Sequence, residues 1–441
     1  MSFIYKISLS ASILLTTGIL SLSLFDSGDS FGGDFLPPKP TVSSHHISNV
    51  FSDLEEFEVV DHNVNRFLKR NNLAGASLAI AKDGKLVFAK GYGFADKERS
   101  INVQPYNLFR IASVSKLITA VAVMKLVEAN KLTLESTVFG PDGILNDSIF
   151  LDYRDPKVET ITVRELLNHS AGWTNRWGDP MFMPNVISKK LGVDYPIESE
   201  DIIRFMLQKR LHYAPGTMSS YSNFGYTVLE QVIEKASGMD YEMYVKTNVL
   251  YPLEIFDMQI GRSYPWERLD LEVKYYEPQD DFFVPDHLNA DKQALRSYGG
   301  NDIHTLGAAG GWVSSTTDLL RLVVAIDGFD NPNDLLSKES IKEMVSKELV
   351  GGSPLGWRGV REGKYWYRTG TLAGTSALVM RKENGISYAI VFNSSSWKGP
   401  VFANDIKYMM DHTLDKIEEW PSYDLFKLKN NDKPQRRKTI F

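Results

Sequence analysis

Apolar residues recur at helical spacing through Phe57, Val60, Val64 and Phe67 in "LEEFEVVDHNVNRFLKRN". That spacing predicts an amphipathic helix where the folded part begins, near Phe51. In "ASLAIAKDGKLVFAKGYGFAD" two apolar runs flank Asp83-Gly84, a strong β-hairpin signal. "SVSKLITAVAVMKLVEAN", Ser113 to Asn130, reads as a long apolar helix. From about 160 to 257 the pattern is mostly helical with loops, and Trp312 to Ile326 reads as a further helix entered from "SSTTD". Then "KYWYRTG", "TSALVMRK" and "ISYAIVFN" read as three strands, the last two joined by a turn at Glu383-Asn384-Gly385. "PVFANDIKYMMDHTLDKIEEW" closes the pattern as a helix.

Strands thus cluster towards both ends and helices fill the middle. The simplest packing is an α+β or α/β domain over 51–420, with an antiparallel sheet built jointly by the two end segments, flanked by helices, and an inserted, mostly helical region. Two segments precede it. The stretch 1–25 carries Lys6 and then an uncharged apolar run from Ile7 to Phe25, the pattern of a cleaved signal peptide or an uncleaved signal anchor. The run is about long enough to span a bilayer, and no clean small-residue cleavage site follows it. Export to the periplasm or another extracytoplasmic space is expected, with residues 7–25 as a membrane tether if uncleaved. Residues 26–50, rich in Ser, Gly, Asp and Pro, read as a flexible linker, and 421–441 as a basic, solvated tail.

Composition narrows the chemistry. With 441 residues, 43% hydrophobic and 24% charged, the chain can bury a large core. A net charge of −6 gives no reason to expect a nucleic-acid partner. Cysteine is absent, which removes disulfides, thiol nucleophiles and thiolate metal sites. Eight histidines are scattered, so no metal is expected, and no nucleotide- or dinucleotide-binding fingerprint calls for a cofactor. The lone G-x-G at Gly91 to Gly93 precedes no helix and reads as a strand end.

The stretch "RIASVSKLIT" holds Ser113, Ser115 and Lys116. Positions three apart share a helix face, so Ser113 and Lys116 are neighbours while Ser115 points elsewhere. A helix N-terminus favours an alkoxide at Ser113, and apolar surroundings push Lys116 towards the neutral amine that can accept a proton. By itself S-x-x-K is common by chance. A helix-capping serine beside a surface lysine explains it as well.

Two further motifs change that balance. "YSNFGY" places Tyr221 and Asn223 in Y-x-N spacing, and "YRTGTLAGTS" places Arg368, Thr369 and Gly370 at the end of an apolar strand. This order resembles the penicillin-recognising serine hydrolases, whose motifs are S-x-x-K, Y-x-N or S-x-N, and a strand ending in K-T-G. In particular the chain resembles the class C β-lactamase branch with its D,D-peptidase, esterase and D-aminopeptidase relatives. "LLNHSAGW" and "GAAGGWVSSTTDLLRL" add to the likeness, which runs from about Phe51 to Trp420.

The resemblance implies a β-lactamase-like fold and hydrolysis of an amide or ester through an acyl-enzyme. It casts Ser113 as nucleophile, Lys116 as its hydrogen-bonded base partner and Tyr221 as proton shuttle. Asn223, Arg368, Thr369, Gly370 and Thr371 would bind substrate, with the N–H groups of Ser113 and Thr371 as oxyanion hole. No cofactor is implied. The partner is a small-molecule or peptide substrate, with peptidoglycan fragments and β-lactams as candidates. Arg368 departs from the usual Lys or His: it keeps the charge but cannot relay a proton. The alternative is a slow-turnover or non-catalytic module that binds penicillin or peptidoglycan fragments in the same pocket. His169 is left out as a helix-end capping group, and Trp173, Trp177, Phe182 and Tyr213 are expected mostly in the core.

Overall fold

Asp83 and Gly84 both adopt positive φ, 50° and 77°, as a two-residue hairpin turn of the favoured twist requires. A Cβ at Gly84 would lie 2.0 Å from the Asn331 carbonyl oxygen, so space as well as conformation demands glycine. Around this turn β1 (Gly75–Lys82) and β2 (Lys85–Asp96) pair antiparallel. The structure is a computed structural model that describes residues 47–279, 282–347 and 352–428. The apolar stretch 7–25, most of the expected linker and the end of the basic tail lie outside the described residues.

The remaining strands are β3 (Ile101–Asn102), β4 (Phe109–Arg110), β5 (Gln259–Ile260), β6 (Phe283–Pro285), β7 (Gln293–Leu295), β8 (Trp312–Ser314), β9 (Gly359–Arg361), β10 (Tyr365–Leu372), β11 (Thr375–Lys382) and β12 (Ile386–Phe392). The main sheet has seven strands in the order β3-β2-β1-β12-β11-β10-β9. Its two halves, from opposite ends of the chain, join where Leu78 pairs with Ile390 in an antiparallel ladder. A smaller sheet runs β4-β8-β5.

Helices cover both faces. On one side lie α1 (Glu58–Asn71) and the closing helix, Phe402–Leu414. Phe57, Val60, Phe67, Phe402 and Met410 pack there on Leu78, Ile80 and Ile390. On the other side Ala79, Ala389 and Val391 meet the larger core of the helical region. Burial on both faces explains why β1, β11 and β12 read as continuous apolar runs rather than alternating ones. The helical region contributes α2 (Ser115–Glu128), α3 (Val163–Leu167), α4 (Pro184–Leu191), α5 (Ser199–Leu207), α6 (Phe224–Ser237) and α7 (Tyr241–Val245). Apolar on nearly every side, α2 is buried through the core.

Three expected elements shift. The helix expected from Trp312 begins only at Thr316, because the Ser315 hydroxyl caps it by accepting from Asp318 N–H; Trp312–Ser314 instead fill β8 between β4 and β5. The helix expected from Ser113 begins at Ser115, after a tight turn, Ala112–Val114. The closing helix ends at Leu414, and Trp420 turns back onto the Phe57 ring, 6.4 Å away. Ordered packing reaches past 51–420 on both sides. Asn49 bonds the Gly91 and Val103 carbonyls, and the Tyr423 hydroxyl donates to the Val87 carbonyl.

Candidate active site

The turn that carries Ser113 is held from three directions. Ala112 sits at φ 48°, an uncommon conformation for a residue with a Cβ. The buried Ser115 hydroxyl donates to the Ala112 carbonyl at 2.7 Å and accepts from Trp312 N–H at 3.2 Å, tying the turn to β8. From the far side β10 presses in: a Cβ at Gly370 would stand 2.1 Å from the Ile111 carbonyl oxygen. The motif's second serine is therefore a brace, and Ser113 faces a cleft of about 310 Å3.

Lys116, the second residue of α2 and three past Ser113, is fully buried. Its ammonium donates to Asn223 Oδ1 at 2.7 Å and to the Ala309 carbonyl. Neither bond is the expected one to Ser113. Instead the Tyr221 hydroxyl donates to Ser113 Oγ at 2.8 Å, and Lys116 lies 5.1 Å from the Tyr221 ring centroid. Arg368, also buried, reaches along the edge of β10. Its Nε donates to the Ser113 carbonyl at 2.7 Å and its Nη2 to the Tyr221 hydroxyl at 3.2 Å. The remaining nitrogen, Nη1, is buried without an acceptor among the described residues.

These charges act on each other. Burial raises the Tyr221 phenol, but Lys116 and then Arg368 pull it down, and the Ser113 hydrogen bond assists, leaving it lowered to about 8. Burial lowers the Lys116 ammonium to about 8; Tyr221 opposes that fall and Arg368 adds to it. Tyr221 and Lys116 therefore titrate as a pair rather than separately.

Asn223, just before α6, bridges two groups. Its Oδ1 accepts from Lys116, and its Nδ2 donates to Asp179 Oδ2 at 2.6 Å. Burial raises the Asp179 carboxyl, while Asn223 and Lys116 counter it. Thr369, Gly370 and Thr371 lie on β10 opposite Leu378, Ala377 and Ser376 of β11, and the two threonines line the cleft. All eight residues marked by the sequence thus meet at one place.

Sequence reasoning missed three neighbours. His169, at φ 66°, packs its buried ring against that of Tyr221, with centroids 4.7 Å apart and planes inclined by 50°. Burial drives its pKa well below the ordinary value, and Arg368, Lys116 and Arg358 push the same way, so the ring is neutral. Asp179 anchors Asn223, and Arg358 lines the cleft with its guanidinium 5.2 Å from the Tyr221 ring. A lone His, Asp or Arg in a loop carries no periodic signal. Only the H-S-A-G stretch beside His169 offered one. Of the four aromatics expected mostly in the core, only Trp173 is buried: Trp177 and Phe182 are exposed, Phe182 lines the cleft, and the half-buried Tyr213 donates to the His169 carbonyl.

A sheet joined by both ends of the chain, a helical insertion, and a serine, lysine and tyrosine at their junction define a β-lactamase-like fold with its candidate site. The family described as Beta-lactamase matches residues 60–408, and the chain belongs to that family. Penicillin-binding protein 4* of Bacillus subtilis (strain 168) is 26% identical over 327 residues, 71% of this chain and 66% of that protein. Protein flp of Staphylococcus aureus (strain MW2) is 27% identical over 198 residues, 44% of this chain. The match spans only 36% of flp's length. Among solved structures, D-amino acid amidase from Ochrobactrum anthropi SV3 superposes with a TM-score of 0.63 at 22% identity, covering 82% of this chain and 99% of that one. The octameric penicillin-binding protein homologue from Pyrococcus abyssi gives 0.61 at 24% identity, covering 83% and 80%.

Proposed function

We propose that this protein is an exported serine hydrolase that forms an acyl-enzyme at Ser113 and cleaves an amide or ester. The observation that carries this reading is the 2.8 Å contact between the Ser113 and Tyr221 hydroxyls, with Tyr221 drawn down to about 8. In its deprotonated form Tyr221 accepts the Ser113 proton as Oγ bonds to the substrate carbonyl carbon. The C–O π bond opens to an oxyanion, received by the Ser113 and Thr371 N–H groups that the resemblance implies. Collapse breaks the bond to the amine or alcohol, which leaves with the proton from Tyr221. Water then attacks the ester, gives a proton to Tyr221 and releases the acid, and that proton returns to Ser113. Lys116 sustains the cycle through its charge.

The cleft also supports a charge preference. Arg358 and Arg368 line it, no carboxylate side chain does, and Arg368 Nη1 is an unused buried donor. An acyl donor with a carboxylate near the scissile bond suits this lining. A β-lactam or a peptide ending in D-alanyl-D-alanine has that chemistry, and the relative described as a penicillin-binding protein is consistent with it.

Turnover of nitrocefin, of an N-acyl-D-alanyl-D-alanine peptide and of its C-terminal amide tests both parts, with Ser113→Ala alongside. The free acids should be preferred to the amide, and Ser113→Ala should lose turnover by orders of magnitude. Equal use of acid and amide would remove the charge preference. Full activity in Ser113→Ala would remove the nucleophile. The exported part rests on the apolar run behind Lys6. It predicts that residues 1–50 carry a fused reporter enzyme out of the cytoplasm, and a reporter retained inside would contradict it.

A further inference from the structure

A second cavity, about 570 Å3, is lined by α4, α5 and the loop from Trp173 to Met183. Its volume is that of a small-molecule site, and it shares no lining residue with the catalytic cleft. The inner wall is apolar: Trp173, Phe205 and Met206 are buried there, and Trp177, 75% exposed, stands at the edge. The indole N–H of Trp173 is buried without an acceptor among the described residues.

The mouth has the opposite character. Arg154, Lys190, Lys209 and Arg210 line it, all exposed, and no aspartate or glutamate does. None of the four makes an ion pair with a described carboxylate; the Lys209 ammonium instead lies 4.3 Å from the Phe205 ring centroid, over the apolar wall. Four cations of one sign around an apolar hollow give its mouth a positive field that attracts an anion. Trp177 lines the same hollow as Met183, Val186 and Phe205, so its exposed ring extends one contiguous apolar surface out to the mouth.

We propose that this cavity binds a single-tailed organic anion, its apolar body against Trp173, Phe205 and Met206 and its carboxylate among Arg154, Lys190, Lys209 and Arg210. The proposal does not depend on chemistry at Ser113. Its consequence for the catalytic cleft is physical: the Trp173–Met183 stretch also supplies Asp179, which holds Asn223, and Phe182, which lines the cleft. A ligand in the cavity therefore presses on the segment that positions Asn223.

Titration calorimetry of the full chain with sodium decanoate, and with decyltrimethylammonium as the cation of equal tail, tests the site. Decanoate should bind saturably and at least about tenfold tighter than the cation. The double variant Lys190→Glu/Arg210→Glu should weaken decanoate binding by at least about tenfold, and Arg154→Glu, on a separate segment, should act in the same direction. Melting temperatures of these exposed-residue variants serve to confirm that each is folded. Equal binding of both amphiphiles, unchanged decanoate affinity in the folded variants, or no saturable decanoate binding would each overturn the proposal.

Discussion

At the scale of single residues, the site is an arrangement of charge around one phenol. Lys116 and Arg368 flank Tyr221, and neither can approach it without changing the proton affinity of the other two. The sign of the pH dependence follows. The proton acceptor must be free of its proton, so kcat/KM should rise as pH rises through about 8, where Tyr221 and Lys116 titrate together. Arg368→Gln removes one of the charges that hold Tyr221 down. Its alkaline-going limb should therefore move to higher pH, with the rate at neutral pH lower by about 10–10³-fold, as the loss of one neighbouring charge implies. A pH–rate profile of the two proteins checks this; an unmoved limb would show that Arg368 does not set the base. Ser113, Lys116, Tyr221 and Asn223 were legible because their spacing is a pattern. His169 and Asp179 were not, because a tilted ring contact and a half-buried acceptor leave no period in a sequence.

At the scale of elements, position is set by contact between strand and turn. Gly370 lets β10 lie against the backbone that leads into Ser113, where even a methyl group would meet the Ile111 carbonyl at 2.1 Å. Gly370→Ala should push that turn away from Tyr221 and Arg368. We expect activity to fall at least about tenfold while the melting temperature drops by only a few degrees, about 1–3 kcal/mol of overpacking. Rate measurements beside thermal denaturation separate the two effects, and an active variant would show that the turn does not depend on this contact. The elements themselves were mostly readable. Asp83-Gly84 and Glu383-Asn384-Gly385 announce turns chemically, and the apolar runs that flank them announce strands. Trp312–Ser314 misled because three apolar or small residues ahead of a helix carry no period of their own; only the capping contact of Ser315 with Asp318 fixes the boundary.

The whole molecule depends on a seam between distant ends. Leu78 pairs with Ile390, and Ile80 with Tyr388, so the sheet cannot close until nearly the entire chain exists. Long-range pairing of this kind makes folding slow, because loop closure comes before the contacts that reward it. Ile390 is fully buried in that seam among Leu78, Phe67 and Phe402. Ile390→Ala should destabilise the protein by about 2–5 kcal/mol in denaturant unfolding, and a change below 1 kcal/mol would mean that the seam is not where the fold is held. That the two ends share a sheet was inferable from where strands cluster. That Arg368 reaches from β10, two strands from that seam, to the Tyr221 hydroxyl required the structure.

Every role assigned above follows from Ser113 being an activated nucleophile. Intact-mass spectrometry of the protein after exposure to a fluorophosphonate, with Ser113→Ala treated identically, reads that activation. A single covalent adduct is expected on the parent protein and none on Ser113→Ala. An unmodified parent protein, or an adduct of equal yield on the variant, would contradict it.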